Sequence, residues 1–288
     1  MGFLKDWYDL TRFDHALLWG LSVVIAEFIA KRGLPEFKLV FFGFLIAALL
    51  EIGIFAFNDY IDLESDRINK RVDRPLVRGS IEPKYALYTT FLSLPLALIF
   101  GIVLNLIYPL IILISFLILG VLYDLKLKEY SLVKNFIVAS CMAIPFIGGN
   151  MVVREDILPI IWVLASMGLT GGLGREVLKD MMDIEGDRAK GYKTLPILFG
   201  TKKTLFVVTL MFLICVVLTL TPYLLNFDPF YFKDPFYLAP LLLTDLIILY
   251  SLYLLWKSFS QEIVKKVRGL TLLAIEFGVL GFIFGLLF

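Results

Sequence analysis

Long runs of apolar residues, separated by short polar stretches, make up almost the whole chain. A helix that crosses a bilayer needs about 20 predominantly apolar residues. The stretches that qualify lie near residues 14–31, 38–57, 84–105, 107–123, 132–152, 157–175, 203–225, 236–258 and 269–288. This pattern predicts an all-α fold, in which residues 1–288 form a single domain of nine transmembrane helices.

The composition is typical of a chain that is solvated by lipid. Hydrophobic residues make up 59% and charged residues 18% of the 288 positions, whereas soluble domains average about 25% charged residues. These values exclude a soluble multidomain enzyme and a disordered chain. The apolar composition makes membrane lipid an expected partner, and because the net charge is only +1 we expect no nucleic acid. Cys141 and Cys215 lie in apolar stretches and indicate neither a disulfide nor a zinc site.

The basic residues are divided unevenly between the two sides of the predicted bundle. The N-terminus and the loops after even-numbered spans carry 22 of the 27 Lys and Arg residues. Because basic loops stay on the cytoplasmic side, we expect a multi-pass protein of the cell membrane with a cytoplasmic N-terminus. Two of these loops, at about residues 58–83 and 176–202, are long and polar. We expect the functional residues in them.

Both polar loops contain the same acidic pattern, D-x-x-D-x-E-x-D-R. The Asp residues are Asp59, Asp62 and Asp66 in the first motif and Asp180, Asp183 and Asp187 in the second. From Asp59 to Asp180, and at each later position, the offset is the same 121 residues. Five identical positions at one offset indicate an internal repeat.

Helical periodicity predicts which of these carboxylates act together. If each motif continues the preceding helix, the second and third Asp lie at about −60° and −20° from the first, at 100° per residue. Glu64 and Glu185 lie about 140° from it. We therefore expect the three Asp residues of each motif to share a face, and the two Glu residues to form ion pairs at the membrane surface.

Six carboxylates that converge from two helices require a cation between them, because like charges repel. Mg²⁺ suits this position, since it takes oxygen ligands and is commonly held by one or two carboxylates plus substrate phosphate oxygens. The sequence therefore predicts Mg²⁺ as cofactor, the six Asp residues as its ligands and a phosphorylated substrate. A diphosphate would leave the site negatively charged, so neighbouring cations are needed as well.

Several basic and polar residues are placed to supply this charge or to line the same cavity. The candidates are Arg71, Arg74 and Arg78 after the first motif, Lys179, Arg188, Lys190 and Lys193 around the second, Lys126 and Lys128 after the fourth span, and Arg12 and Asn135 at the starts of the first and fifth spans. Any one of these cations could equally be an ordinary basic residue of the membrane surface. Asp245 and Glu276, within the last two spans, are expected to pair inside the bundle.

The residues in and around the motifs resemble those of the UbiA superfamily of intramembrane prenyltransferases. The resemblance rests on Asn58-Asp59-x-x-Asp62-x-x-x-Asp66, on Asp180-x-x-Asp183-x-x-x-Asp187, and on Tyr123 with the lysines after it. Within the superfamily, Arg74-Pro75-Leu76 and the segment from Gly174 to Arg188 are most similar to the archaeal enzymes that make digeranylgeranylglyceryl phosphate.

The resemblance implies a cytoplasmic active site that contains the six Asp residues, Asn58 and Tyr123. It implies Mg²⁺-dependent transfer of a prenyl group, geranylgeranyl, from its diphosphate to geranylgeranylglyceryl phosphate in ether-lipid synthesis. Whether Lys126 or Lys128 matches the family's lysine is open.

The acceptor is the least constrained part of this interpretation. Arg175 and Lys179 are the first candidates for binding an acceptor phosphate, because they lie deeper along the helix of the second motif than Lys190 or Lys193. An aromatic quinone precursor, 4-hydroxybenzoate or dihydroxynaphthoate, is the alternative acceptor. A secondary transporter is the alternative from another class, although the acidic residues lie at one side of the bilayer and not at its midplane.

Overall fold

The structure is a computed structural model that describes residues 2–189 and 191–288, without the side chains of Ser131 and Ala189. Within these residues the regular elements are fifteen α-helices and one 3₁₀ helix, Leu127–Glu129. The all-α prediction is confirmed for this part of the chain. Lys190, one of the predicted cations, lies outside it.

The chain divides into two compact units. Unit 1 comprises the residues up to Lys128 together with Gly148–Asp156, and unit 2 comprises Glu129–Ile147 and Ile157–Phe288. Each acidic motif belongs to one unit, the first motif to unit 1 and the second to unit 2. The single domain predicted over residues 1–288 stays a prediction.

Unit 1 is arranged around one long central helix, α3. Its helices are α1 (Phe3–Thr11), α2 (Phe13–Lys31), α3 (Phe37–Ile61), α4 (Leu63–Ile68), α5 (Pro75–Arg78), α6 (Pro83–Leu104) and α7 (Ile107–Leu125). Helix α3 packs against α1, α2, α6 and α7. Its contact with α6 is close at Gly53, where an added Cβ would lie 2.4 Å from the side chain of Leu94. The first acidic motif follows at the end of this helix.

Unit 2 has a corresponding central helix, α10. The helices in this half of the chain are α8 (Ser131–Ser140), α9 (Ile144–Val153), which begins in unit 2 and ends in unit 1, α10 (Pro159–Met182), α11 (Ile184–Ala189), α12 (Leu195–Phe199), α13 (Thr201–Leu224), α14 (Pro235–Lys257) and α15 (Gln261–Leu287). Helix α10 packs against α8, α13 and α15, and α14 packs against α13 and α15. The second motif follows at the end of α10.

Eight of the nine predicted spans are confirmed as stretches that are long and apolar enough to cross a membrane. Within the described residues these are α2, α3, α6, α7, the stretch Leu132–Val153, α13, α14 and α15. Large apolar side chains cover their outer faces, and Phe91 and Leu92 of α6 are 72% and 70% exposed. Such surfaces are stable in lipid and not in water. The chain is therefore a multi-pass membrane protein.

The sixth predicted span corresponds to α10, which does not meet the same measure of length and apolarity. Small and weakly polar residues occupy its middle, among them Ser166, Thr170 and four glycines. The helix also runs to Met182 instead of ending near residue 175, so that its last turns are charged. Eight of the nine predicted spans are thus confirmed, and α10 as the ninth stays a prediction.

Two of the confirmed spans differ from the prediction in detail. The fifth span is not one helix but two, because α8 ends at Ser140 and α9 begins at Ile144. Pro145 explains the interruption, since it has no N–H to donate to the carbonyl four residues earlier. Helix α15 begins at Gln261, eight residues before the predicted 269. The earlier start adds a charged turn that apolarity alone could not reveal.

Helix α10 packs closely against the segment that interrupts α8 and α9. This close approach requires a glycine at position 168 of α10. A Cβ added at Gly168 would lie 2.3 Å from the carbonyl oxygen of Met142, whereas one at Gly171 would have only Cys215 Sγ within 4 Å, at 3.9 Å. Backbone-to-backbone contacts through small residues are a common way for membrane helices to pack.

We therefore expect Gly168→Ala to destabilise unit 2 by about 1–3 kcal/mol, the usual cost of overpacking. Gly171→Ala is the matched control on the same helix, and its stability should stay at or slightly above that of the wild-type protein, because Ala favours the helix over Gly. The measurement is thermal denaturation of the detergent-solubilised protein. Equal denaturation temperatures for the two variants would contradict the packing described.

Candidate functional site

The two acidic motifs have the same backbone geometry as well as the same sequence pattern. A single residue, Asp62, separates α3 from α4, and a single residue, Asp183, separates α10 from α11. Their φ and ψ angles are −86° and 0° for Asp62, and −98° and 13° for Asp183. The N–H of each still donates to the carbonyl four residues earlier. The prediction that each motif continues its helix is therefore correct up to the middle Asp, where the α-helical ψ is lost.

Asp59 is the most deeply buried carboxylate of the first motif and is 2% exposed. Arg12 Nη2 donates to Asp59 Oδ1 at 2.8 Å, and Arg74 forms an ion pair with the same oxygen. A carboxylate this far from water is costly without such partners. Its other oxygen, Oδ2, is buried and accepts no hydrogen bond from the described residues. The structure thus brings the predicted Arg12 and Arg74 to the first motif.

Asp62 and Asn58 connect the first motif to the end of α7. Lys128 forms an ion pair with Asp62 Oδ1, and Asn58 Nδ2 donates to Asp62 Oδ2 at 3.1 Å. Asn58 Nδ2 also donates to Asp124, which is 1% exposed and which the sequence analysis did not single out. Lys126 is exposed. Of the two lysines left open by the sequence, Lys128 is therefore the one that contacts the motif.

Asp66 lies at the partly exposed end of the first motif. Burial raises the pKa of the Asp66 carboxyl, and the positive charge of Arg71 opposes that shift. Arg71 itself donates two hydrogen bonds to the carboxylate of Asp73, from Nε to Oδ1 at 3.0 Å and from Nη2 to Oδ2 at 2.9 Å. Glu64 is exposed. In this motif burial thus distinguishes the three Asp residues from the Glu, as the helical geometry predicts.

The short helix α5 ties the N-terminal helix α1 to the first motif. Arg74 precedes α5, and Arg78 ends it. Arg78 Nη2 donates to Asp6 Oδ1 at 2.6 Å and to Asp9 Oδ2 at 2.8 Å, and the first of these bonds lowers the pKa of Asp6. Leu10 packs with the apolar residues around α5. These contacts fix the position of the segment from which Arg74 reaches Asp59. In the sequence the two acids lie one turn apart on α1, but nothing there identifies Arg78 as their partner.

Asp180 is the buried carboxylate of the second motif and is 1% exposed. Lys134 Nζ donates to its Oδ1 at 2.9 Å, and Asn135 Nδ2 donates to its Oδ2 at 2.7 Å. Asp187 and Glu176 lie close enough to act on the charge of Lys134. Asn135 was a predicted site residue, whereas Lys134 was missed, although it is the neighbour of Asn135 at the start of α8.

The other carboxylates of the second motif are more accessible. Asp183 and Glu185 are both exposed, and Asp187 is partly buried. Burial therefore does not separate Asp183 from Glu185, in contrast to the first motif. The helical-face prediction therefore fits the second motif less well than the first.

Three further predicted residues have other surroundings. Tyr123 is partly buried in the last turn of α7, next to Asp124. Arg175 Nη1 donates to the carbonyl of Arg268 at 2.7 Å, on α15. Lys179 is exposed, and its Nζ lies 3.7 Å from Glu176 Oε2. These contacts leave their predicted roles untested.

The two intramembrane acids differ from each other. Asp245 is 5% exposed and accepts hydrogen bonds of 2.8 Å from the hydroxyl of Thr219, so the expected pairing inside the bundle is confirmed. Glu276 is exposed on α15. The same expectation was wrong for Glu276.

The residues of the first motif fit a hard divalent cation, although their carboxylates are paired with basic side chains in this structure. Among the described residues, no three His, Cys, Asp or Glu side chains come together as a metal site. Asp59 Oδ2 and Asp124 Oδ2 are nevertheless buried without a hydrogen-bond partner among those residues. Carboxylate oxygens of this kind are the ligands that Mg²⁺ prefers.

Comparison with known proteins agrees with this arrangement. Residues 18–275 match the sequence profile described as the UbiA prenyltransferase family. A digeranylgeranylglyceryl phosphate synthase from Archaeoglobus fulgidus is 33% identical over 98% of this chain and 96% of its own length.

Two solved structures share the fold. One, from work on the biosynthesis of digeranylgeranylglyceryl phosphate synthase in membranes, has a TM-score of 0.80 and 28% identity and covers 98% of both chains. The other is a UbiA homolog from Archaeoglobus fulgidus bound to DMAPP and Mg²⁺, with a TM-score of 0.66 and 18% identity over 95% of this chain and 97% of that one. At that identity it supports the fold alone.

Proposed function

The chain belongs to the UbiA prenyltransferase family, and from this premise we propose that it transfers a geranylgeranyl group from geranylgeranyl diphosphate to geranylgeranylglyceryl phosphate. The repeated acidic motif carries the proposal, because each copy places a buried, cation-paired Asp at the end of a central helix. The relative of 33% identity, named for the same product, supports the choice of acceptor.

The chain's own residues can bind and activate the donor. Mg²⁺ held by Asp59, Asp62, Asp66, Asp180, Asp183 and Asp187 would supply positive charge to the departing diphosphate. Arg12, Arg74 and Lys128 lie at the first motif and can donate to phosphate oxygens as the allylic C–O bond breaks. Such prepositioned donors favour the transition state because negative charge grows on the leaving group. Asn58, Arg71 and Tyr123 complete the proposed donor-binding set.

The acceptor then forms the new ether bond. The glycerol hydroxyl of geranylgeranylglyceryl phosphate attacks the allylic carbon, and its proton is released as the C–O bond forms. Water must be excluded, because it would trap the same carbon and hydrolyse the donor. The apolar spans supply a medium for both isoprenoid tails, and this requirement explains why the chemistry is performed by a membrane protein.

We propose that the reaction takes place at the cytoplasmic side of the cell membrane and that α10 is the ninth span. The concentration of 22 of the 27 basic residues on one side of the predicted topology supports the orientation. The charged last turns of α10 would then lie at the membrane surface, and its glycine-rich middle would pack against neighbouring helices. The two units act in this proposal as one catalytic domain over residues 1–288.

An acceptor panel tests the proposal directly. Purified protein with Mg²⁺ and geranylgeranyl diphosphate receives geranylgeranylglyceryl phosphate, 4-hydroxybenzoate or dihydroxynaphthoate, and products are identified by mass. We expect a geranylgeranylated product from the glyceryl phosphate, formed at least about tenfold faster than any aromatic product. Preferential prenylation of an aromatic acceptor would contradict the acceptor assignment, and no product from any acceptor would contradict the proposed function.

The lysine pair after α7 provides a matched test of the donor site. Lys128→Gln should lower turnover by about 10- to 100-fold, because it removes a cation beside the proposed diphosphate position. Lys126→Gln removes the same charge two residues away, from an exposed position, and should retain turnover within about twofold. Steady-state rates at saturating Mg²⁺ make the comparison. Equal effects of the two substitutions would show that the contact of Lys128 with Asp62 has no part in the reaction.

A further inference from the structure

One side of α10 lies against the charged first turns of α15. Arg175 Nη1 donates to the carbonyl of Arg268 at 2.7 Å and to Thr271 Oγ1 at 2.6 Å. Two helical turns later on the same side of α10, Met182 Sδ lies 3.9 Å from Arg268 Nη1. Lys179 lies between Arg175 and Met182, since positions i, i+4 and i+7 share a helix face. We call the region that contains Arg175, Lys179 and Arg268 the α10–α15 seam.

The seam brings together three cations, Arg175, Lys179 and Arg268, and the carboxylate that acts on them is that of Glu176. Among the described residues, neither Arg175 nor Arg268 has a carboxylate within ion-pair distance, and the nearest to Lys179 is Glu176 at 3.7 Å. The two guanidinium groups are close enough for their charges to act on each other. One carboxylate compensates only part of this charge, and like charges that close are destabilising without a further anion.

Packing alone accounts for Arg175 but not for Arg268. The two hydrogen bonds of Arg175 hold α10 to α15, which is a sufficient structural role. The side chain of Arg268 is partly buried, its Nε is buried without a hydrogen-bond partner, and its Nη1 contacts only a thioether sulfur. Burying the Nε–H donor of a guanidinium without an oxygen acceptor is costly.

The seam is separate from the carboxylate side of α10. Asp180 comes five residues after Arg175, about 140° around the helix, and it contacts Lys134 and Asn135 of α8. Arg175 contacts α15 instead. Helix α10 can therefore serve two different phosphate groups. The face with the acidic motif would bind the diphosphate through Mg²⁺, and the face against α15 would bind a second phosphate directly.

We propose that the α10–α15 seam binds the phosphate group of the acceptor lipid, an inference that rests on the proposed function. A phosphate monoester offers three oxygens to guanidinium and ammonium donors, which bind it strongly. Helix α15 continues from Arg268 into an apolar membrane span, so an isoprenoid chain attached to the phosphate can remain in lipid beside it. This position favours a lipid phosphate over free inorganic phosphate.

The test uses Arg268→Gln, because the Arg268 side chain donates to no oxygen acceptor among the described residues and its loss should leave the fold intact. The matched control is Lys266→Gln, an exposed cation on the same helix, about 160° from Arg268. Arg268→Gln should raise the KM for geranylgeranylglyceryl phosphate by about 10- to 100-fold, the range for a lost hydrogen bond to a charged group. The KM for geranylgeranyl diphosphate should stay within about twofold, and Arg268→Lys should recover part of the loss.

Binding of radiolabelled geranylgeranylglyceryl phosphate, measured without donor or Mg²⁺, separates this inference from the proposed function. Binding that is weakened by Arg268→Gln and not by Lys266→Gln supports the seam even if no product forms. Product formation with unchanged acceptor binding in Arg268→Gln overturns the seam and leaves the proposed function intact. If Arg268→Gln does not fold, Lys179→Gln replaces it in the same assay. Weakened acceptor binding in Lys179→Gln would then support the seam, and unchanged acceptor binding would overturn it.

Competitors in that binding assay distinguish the possible sources of the phosphate. Glycerol 1-phosphate at millimolar concentration should displace the labelled acceptor more effectively than inorganic phosphate, and less effectively than unlabelled acceptor. Unphosphorylated geranylgeranylglycerol should compete poorly, and equally in wild type and Arg268→Gln. Displacement by vesicles of phosphatidylglycerol as effective as that by the acceptor would overturn the assignment, since the seam would then bind bulk anionic lipid.

Discussion

Carboxylates at the ends of apolar helices must be paired with positive charge, and this requirement organises the polar part of the molecule. Asp59 and Asp180 are almost completely buried, where an unpaired carboxylate would cost several kcal/mol. Arg12 and Arg74 compensate the first, and Lys134 with Asn135 compensates the second. In each unit the partners belong to other helices or loops than the Asp itself, so these contacts also join separate elements of the unit.

The compensation is not equally complete in the two motifs, and this difference bears on function. One oxygen of Asp59 receives two guanidinium groups while the other has no partner among the described residues. Both oxygens of Asp180 accept hydrogen bonds. A metal ion can therefore add to the carboxylate of Asp59 without displacing a partner, whereas at Asp180 it must compete with Lys134 or share an oxygen with it. The first motif can therefore bind a cation with less rearrangement of its existing contacts than the second.

The sequence was sufficient for the features that depend on local composition. Runs of about 20 apolar residues located eight spans, and an exact spacing repeated at one offset located both motifs. It did not reveal Lys134, Asp124 or the Arg78 contacts with α1, because those pairings join residues more than 40 positions apart. A lysine at the end of a span has the same sequence signature whether it contacts lipid headgroups or a buried carboxylate. Only the packing of α8 against α10 distinguishes the two.

The central claim is that the acidic motifs bind a diphosphate through Mg²⁺, and donor binding without turnover tests it most directly. A geranylgeranyl thiodiphosphate, which resists ionisation, can be titrated into the purified protein with Mg²⁺ or with EDTA, for the wild type, Asp62→Asn and the neighbouring control Glu64→Gln. The account predicts Mg²⁺-dependent binding that is weakened at least about tenfold in Asp62→Asn and unchanged in Glu64→Gln. Binding that is equally tight in EDTA, or equally weakened by both substitutions, would contradict it.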